Sequence, residues 1–254
     1  MSIITETNNR SGVSGSTLKI VAIIAMFIDH FAAIVLSDYI SSSFTNPEFT
    51  GNINQLLLIV RIMRYIGRLG FPIFCFLLVE GFVHTHNKAK YAFRLFLFAL
   101  ISEIPFDLAF NQRILEFSYQ NVFFTLFLGL LVLIAYNQIE IRFATNLNIT
   151  HLLKFIVLCI GCALGLILKT DYNGIGVVTI ALMYTCRDNR ITETLVGCIV
   201  LTAASVTEVF ALLMLPLTAT YNGKRGLNLK YFFYAFYPVH LLLLTLLSHV
   251  LGFR

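Results

Sequence analysis

The feature that most constrains this chain is its succession of long apolar runs joined by short polar links. A run of ~20 apolar residues crosses a hydrocarbon core of ~30 Å. By that rule about nine crossings fit, within bounds of about eight to ten. They fall near residues 18–37, 66–84, 90–110, 121–140, 151–168, 173–186, 191–204, 207–220 and 231–251. The sixth to eighth are short, which suits steep crossings or broken helices lining a cavity. Residues 55–65 read as a separate interfacial helix. Composition agrees: 58% of residues are hydrophobic and 12% charged, a balance that lipid solvates and water does not. The expected fold is all-α, a polytopic helical membrane protein whose helices surround a polar cavity.

Residues 1–17 are polar and read as a disordered cytoplasmic tail, leaving 18–254 as one membrane-embedded domain. The first run is not expected to be a cleaved signal, because Asp29 and His30 interrupt it and no small-x-small site follows. With the N-terminus inside, the inner links hold Arg10, Lys19, Lys88, Lys90, Arg142, Lys154, Arg187, Arg190, Lys224, Arg225 and Lys230. The outer links hold Arg113, Lys169 and Arg254, with Arg61, Arg64 and Arg68 at an edge. That asymmetry predicts a multi-pass protein of the cytoplasmic (inner) membrane with a cytoplasmic N-terminus. The net charge of +5 then belongs to the loops, so the bilayer is the expected partner and nucleic acid is not. Cys75, Cys159, Cys162, Cys186 and Cys198 lie in or beside apolar runs. The Cys159–Cys162 CxxC has no second ligand pair, so no metal is expected.

Ionisable groups at membrane depth are expensive and mark function. Asp29 and His30 come first. Imidazole is the side chain that ordinarily titrates near neutrality and serves as a general base. Lys19 precedes His30 by 11 residues. On a helix that is three turns plus about 20°, so the two share a face ~16 Å apart. One cavity can then hold a phosphate at Lys19 and chemistry at His30; a packing histidine and an interfacial lysine fit the spacing equally. Asp29 cannot orient its neighbour, since adjacent helix residues diverge by about 100°. A carboxylate partner for His30 is expected from Glu80, Glu103 or Asp107, which alternatively form ion pairs with Arg61, Arg64, Arg68 or Arg94. Arg61, Arg64 and Arg68 share one helix face, suited to lipid headgroups, acids or an anionic ligand. His240, after Pro238, is the second intramembrane histidine. The catalytic candidates are therefore His30, Asp29, Glu80, Glu103, Asp107 and His240, and the cofactor-binding candidates Lys19, Arg61, Arg64, Arg68 and Arg94. The chain lacks HExxH, a Gly-rich phosphate loop ending in Lys-Ser/Thr, and GxSxG. A membrane transferase with a histidine base and a transporter with intramembrane charges both remain.

Eight stretches carry a family resemblance: LKIVAIIAMFIDH (18–30), IGRLGFPIFCFLLVEGFVHTHN (66–87), RLFLFALISEIPFDLAF (94–110), NVFFTLFLGLL (121–131), DYNGIGV (171–177), VFALLMLPL (209–217), YNGKRG (221–226) and YFFYAFYPVHLLLL (231–244). In this order they resemble the TraX family of conjugal-transfer proteins, which includes a fimbrial-assembly relative. The resemblance implies acetylation of the pilin N-terminus. It also implies kinship with integral-membrane acyltransferases that pass acetyl groups from cytoplasmic acetyl-CoA to outer acceptors. Those enzymes often carry Arg, ten residues, then His on the first helix. Lys19 and His30 keep the spacing, with Lys in place of Arg, which retains the charge but not the bidentate grip. On this reading acetyl-CoA places its phosphates near Lys19 and loop cations such as Lys88, Lys90, Arg187, Arg190, Lys224 or Arg225. His30 is the base, helped by Glu80, Glu103 or Asp107. Tyr237, His240 or Asn121 donates to the oxyanion, and the acceptor is an amine or hydroxyl of pilin or another surface polymer. The alternatives are a transporter and a non-catalytic pilus or conjugation assembly factor.

Overall fold

In a computed structural model of the protein, residues 12–44, 52–228 and 230–254 are described. Among them the chain is helical between short links, and its only β-type pairing is two isolated bridges, Val13 with Tyr221 and Gln120 with Thr170. The helices are α1 (Gly15–Ser43), α2 (Ile53–Gly67), α3 (Gly70–His84), α4 (Lys88–Phe110), α5 (Val122–Arg142), α6 (Leu147–Ile167), α7 (Asn173–Thr185), α8 (Arg190–Ala204), α9 (Val206–Ala219) and α10 (Lys230–Val250). Nearly every expected crossing coincides with one of them, and residues 55–65, expected as a separate helix, form α2. Five are long and apolar enough to cross a membrane: α1, α2 with α3 taken as one run, α5, α6 and α10. The apolar α7 and α9 are shorter. α4 has 23 residues, or ~34 Å, but carries Lys88, Lys90, Arg94, Glu103 and Asp107. The protein is an all-helical, multi-pass membrane protein.

α1 begins before Leu18. The Ser14 hydroxyl accepts from the Thr17 amide at 3.3 Å, which caps the helix. The Gly15 and Ser16 amides donate to the carbonyls of Lys224 and Arg225 at 2.8 and 3.0 Å. Residues 12–17, assigned above to a disordered tail, thus form a capped helix start pinned to the 220–228 link; residues 1–11 lie outside the described residues. Just past His30 the helix widens into one π turn, Ala32–Leu36, with the Ser37 amide bonded to the Ala32 carbonyl. A π turn holds one residue more than an α turn.

α5 is the hub, packed on α4, α6 and α7, while α8 joins α7 to α9 and α10 lies across α4 and α1. Phe76, Phe82, Leu130, Leu133, Ile180 and Met183 fill the centre. α6 buries little beyond Thr150, Gly161 and Gly165, so most of its surface is left to lipid. α3 packs on α1 but not closely on α4, although only Thr85, His86 and Asn87 separate them. The resulting wedge between α3 and α4 holds the cavity described below. α2 and α3 break beside Asp29: a Cβ on Gly67 would collide with the Asp29 carboxylate. Lys19, Lys88, Arg94, Arg187, Arg190 and Arg225 cluster at one end of the bundle, with Arg113, Lys169 and Arg254 at the other.

Candidate functional site

α1 and α10 bring the two intramembrane histidines together. His30 is half-buried, and its Nδ1 lies 2.7 Å from Nε2 of His240, with the ring planes 6° apart. His240 is 3% exposed, and its Nδ1 is 2.7 Å from the Phe236 carbonyl oxygen. Tyr237 stands edge-on to both rings, at centroid distances of 6.0 and 5.7 Å. Phe110 covers His30 from α4 at 5.6 Å. His30 and His240 were both expected in the site; that they bond to each other was not.

The structure pairs His30 with none of the carboxylates expected to serve it. Glu80 lies at the cationic end, bonded to the Tyr221 hydroxyl and 3.9 Å from His84 Nδ1. Glu103 accepts from the Asn121 side chain and, at 3.5 Å, from the Asn121 amide. Asp107 accepts from the Glu116 amide at 2.8 Å and Asn111 Nδ2 at 3.1 Å, stapling the link after α4. The physical reason is local: nearby amide donors claim both oxygens of Asp107 and one of Glu103, whose Oε1 is left buried without a partner.

The arginines also divide differently from the expectation. Arg64 is ion-paired to Asp29, and Arg68 to Glu208 at 2.8 Å. Arg61 is exposed and is not among the residues lining the cavity that Lys19 rims. A buried cation takes the nearest carboxylate because leaving either charge alone costs several kcal/mol, on the order of 3–5. Of the arginine candidates, Arg94 is the one found beside Lys19. In the layer of Arg64 and Arg68, the Tyr119 hydroxyl donates to Asp171 at 2.5 Å, and Thr125 donates to the Asp171 carbonyl. Tyr172, with a left-handed φ of 61°, stacks on Phe71 at 3.7 Å. Asp171 and Tyr119 were not anticipated as part of this layer. The turn-forming run Asp171-Tyr172-Asn173-Gly174 was the sequence signal available for them.

A cavity of about 240 Å³ lies in the wedge between α3 and the α4–α10 pair. Lys19, Arg94 and Arg225 rim its mouth, which opens into a vestibule of about 510 Å³ that also touches Glu80, His84 and Tyr221. Phe74, Leu77, Leu78 and Leu126 line its apolar middle. Met26, Val122, Phe123 and Tyr237 close its deep end. His30 is not on the lining, but Met26 lies one helical turn before it and Tyr237 is in ring contact with it. The Tyr237 hydroxyl accepts from the Val122 amide at the start of α5. The arrangement therefore sets an imidazole pair behind the deep end of a cation-rimmed apolar channel, with the Tyr237 ring between them. Among the described residues no group of three or more His, Cys, Asp or Glu is placed to hold a metal ion.

The sequence profile described as TraX protein matches residues 14–248. The chain is also 33% identical, over 255 aligned positions, to the probable fimbrial assembly protein FimC, serogroup H1, of Dichelobacter nodosus, covering 91% of this chain and 94% of that relative. No solved structure matches.

Proposed function

The chain belongs to the TraX family, and from that premise we propose that it is a membrane-bound acetyltransferase. On this reading it crosses the inner membrane about nine times, with the N-terminus in the cytoplasm. It passes an acetyl group from cytoplasmic acetyl-CoA to an amine or hydroxyl of pilin or another surface polymer. The observation that carries the reading is the channel running from the cationic end of the bundle to within one turn of His30.

The residues suit that donor. Lys19, Arg94 and Arg225 offer three cations where phosphates would stop, and the apolar middle suits the pantetheine arm. Acetyl-CoA supplies the acetyl thioester. His30 takes the proton from the attacking amine or hydroxyl as it bonds to the thioester carbonyl carbon; the C–S bond then breaks, and the CoA thiolate leaves with that proton returned from His30. The Tyr237 hydroxyl, held by the Val122 amide, donates to the oxygen on which charge develops. The aromatic shell of Phe110, Phe123 and Tyr237 limits water at that point.

The test is transfer of labelled acetyl from acetyl-CoA in proteoliposomes. The expected result is transfer that falls by ~10²–10⁴-fold in His30→Ala, the range typical of a lost general base. Full activity in His30→Ala would remove His30 from the mechanism. A second reading, a non-catalytic assembly factor, is favoured by the printed name of the relative. It predicts that His30→Ala leaves pilus assembly intact and that purified protein does not bind acetyl-CoA.

A further inference from the structure

The two histidines hold more information than their contact. The Phe236 carbonyl oxygen, 2.7 Å from His240 Nδ1, can only accept a hydrogen bond, so His240 carries its proton on Nδ1. A neutral His240 then presents a lone pair on Nε2. His30 Nδ1, 2.7 Å away and in nearly the same plane, must supply the proton of that bond. A neutral His30 in turn has its lone pair on Nε2. The opposite arrangement would set a bare His240 Nδ1 against the carbonyl oxygen, lone pair to lone pair.

From this order we infer that His240 is the positioning residue of the site: it fixes His30 in the Nδ1–H tautomer and leaves His30 Nε2 as the one basic atom of the pair. The chain carbonyl ← His240 ← His30 has the logic by which a carboxylate orients a catalytic imidazole, with a second imidazole and a backbone carbonyl in the carboxylate's place. When Nε2 takes a proton, the positive His30 donates more strongly to His240, and the Phe236 carbonyl polarises His240 in the same direction. The other charged or titratable groups at the pair are Arg64 on α2, which is bonded to Asp29, and Tyr237 on α10; the uncharged rings of Phe27, Phe110 and Phe236 complete the surround. No carboxylate bonds to either ring among the described residues. The catalytic part of this inference rests on the acetyl-transfer reading; the tautomer assignment stands without it.

Solid-state NMR of the full-length protein in liposomes, labelled with ¹⁵N-histidine, reads the tautomers directly. The expected spectrum shows both His30 and His240 protonated on Nδ1, with an Nδ1-to-Nε2 coupling across the pair. In His240→Leu, His30 should revert to the Nε2–H form that free imidazole side chains favour. A wild-type spectrum with His30 protonated on Nε2 would overturn the inference, whatever the variants do. In the transfer assay His240→Leu should lose about 10²-fold in kcat with the KM for acetyl-CoA unchanged, and its rate–pH profile should shift. His240→Gln, whose amide oxygen can accept the His30 proton, should recover at least about tenfold of that loss. Equal activity in His240→Leu and wild type would also overturn it. Correct tautomers without any acetyl transfer would instead sink the acetyltransferase reading alone.

Discussion

The same kinds of side chain do opposite things at two levels of the bundle. At the cationic end Lys19, Lys88, Arg94, Arg187 and Arg190 rest on aromatic rings, at 3.9–5.9 Å from the centroids, while Lys154 rests on Tyr136 and is also paired to Glu140 at 2.6 Å. Deeper in, Arg64 and Arg68 are tied to Asp29 and Glu208. A ring face steadies a cation by about 0.5–2 kcal/mol without neutralising it. It therefore leaves Arg94 able to meet an anion. A carboxylate cancels the charge, as a site surrounded by hydrocarbon demands. The partner, not the residue type, separates a binding cation from a structural one.

The sharpest way to break this comparison is to strip one member from the inner layer. Glu208→Ala leaves Arg68, 24% exposed, without its carboxylate and should cost about 3–5 kcal/mol, read as a lower Tm in detergent. A loss as large in Arg94→Ala would erase the distinction. Arg94→Ala and Arg225→Ala should instead raise the KM for acetyl-CoA by about 10- to 100-fold each, the equivalent of a lost charge-assisted hydrogen bond. Both should melt close to wild type, and added salt should mimic them in part. Gly67→Ala tests the fit between layers: its Cβ meets the Asp29 carboxylate, so overpacking of about 1–3 kcal/mol is expected in the same melting assay. The smallest effect belongs to Arg113→Ala. Its pair with Glu116 is exposed, and no resolvable change in Tm is expected.

Much of the helical layout was legible from hydropathy, because lipid demands apolar runs of fixed length. The short runs at 173–186, 191–204 and 207–220 each became a helix, and residues 55–65 became α2. Lys19 and His30 do lie on one unbroken stretch of helix, but only Lys19 lines the cavity. What sequence could not reveal was who bonds to whom across the bundle. His30 and His240 are 210 residues apart, and no local periodicity joins them. Glu103 and Asp107 looked like partners for His30 because they sit at depth. They turned inward to Asn121 and to the amide of Glu116, bonds that depend on how the link after α4 folds. Arg64 and Arg68 drew attention as an anion site for the same reason that they became ion pairs: they are cations with little water around them.

The π turn after His30 makes α1 a helix with two independently phased halves. In the first half Lys19 and His30 keep a fixed angle. In the second, Asp38 accepts from Ser248 at 2.6 Å and from Arg254 at 2.5 Å, clamping α1 to the end of the chain. The extra residue within Ala32–Leu36 is the offset between those two alignments. Deleting one residue there should collapse the π turn to an α turn with Asp38 still near its clamp, whereas deleting one from the regular helix at Ser37 or just before Ala32 should turn it by about 100°. The chain thus carries one residue of slack in α1, which lets the Asp38 end keep its anchorage whatever phase the Lys19–His30 half adopts.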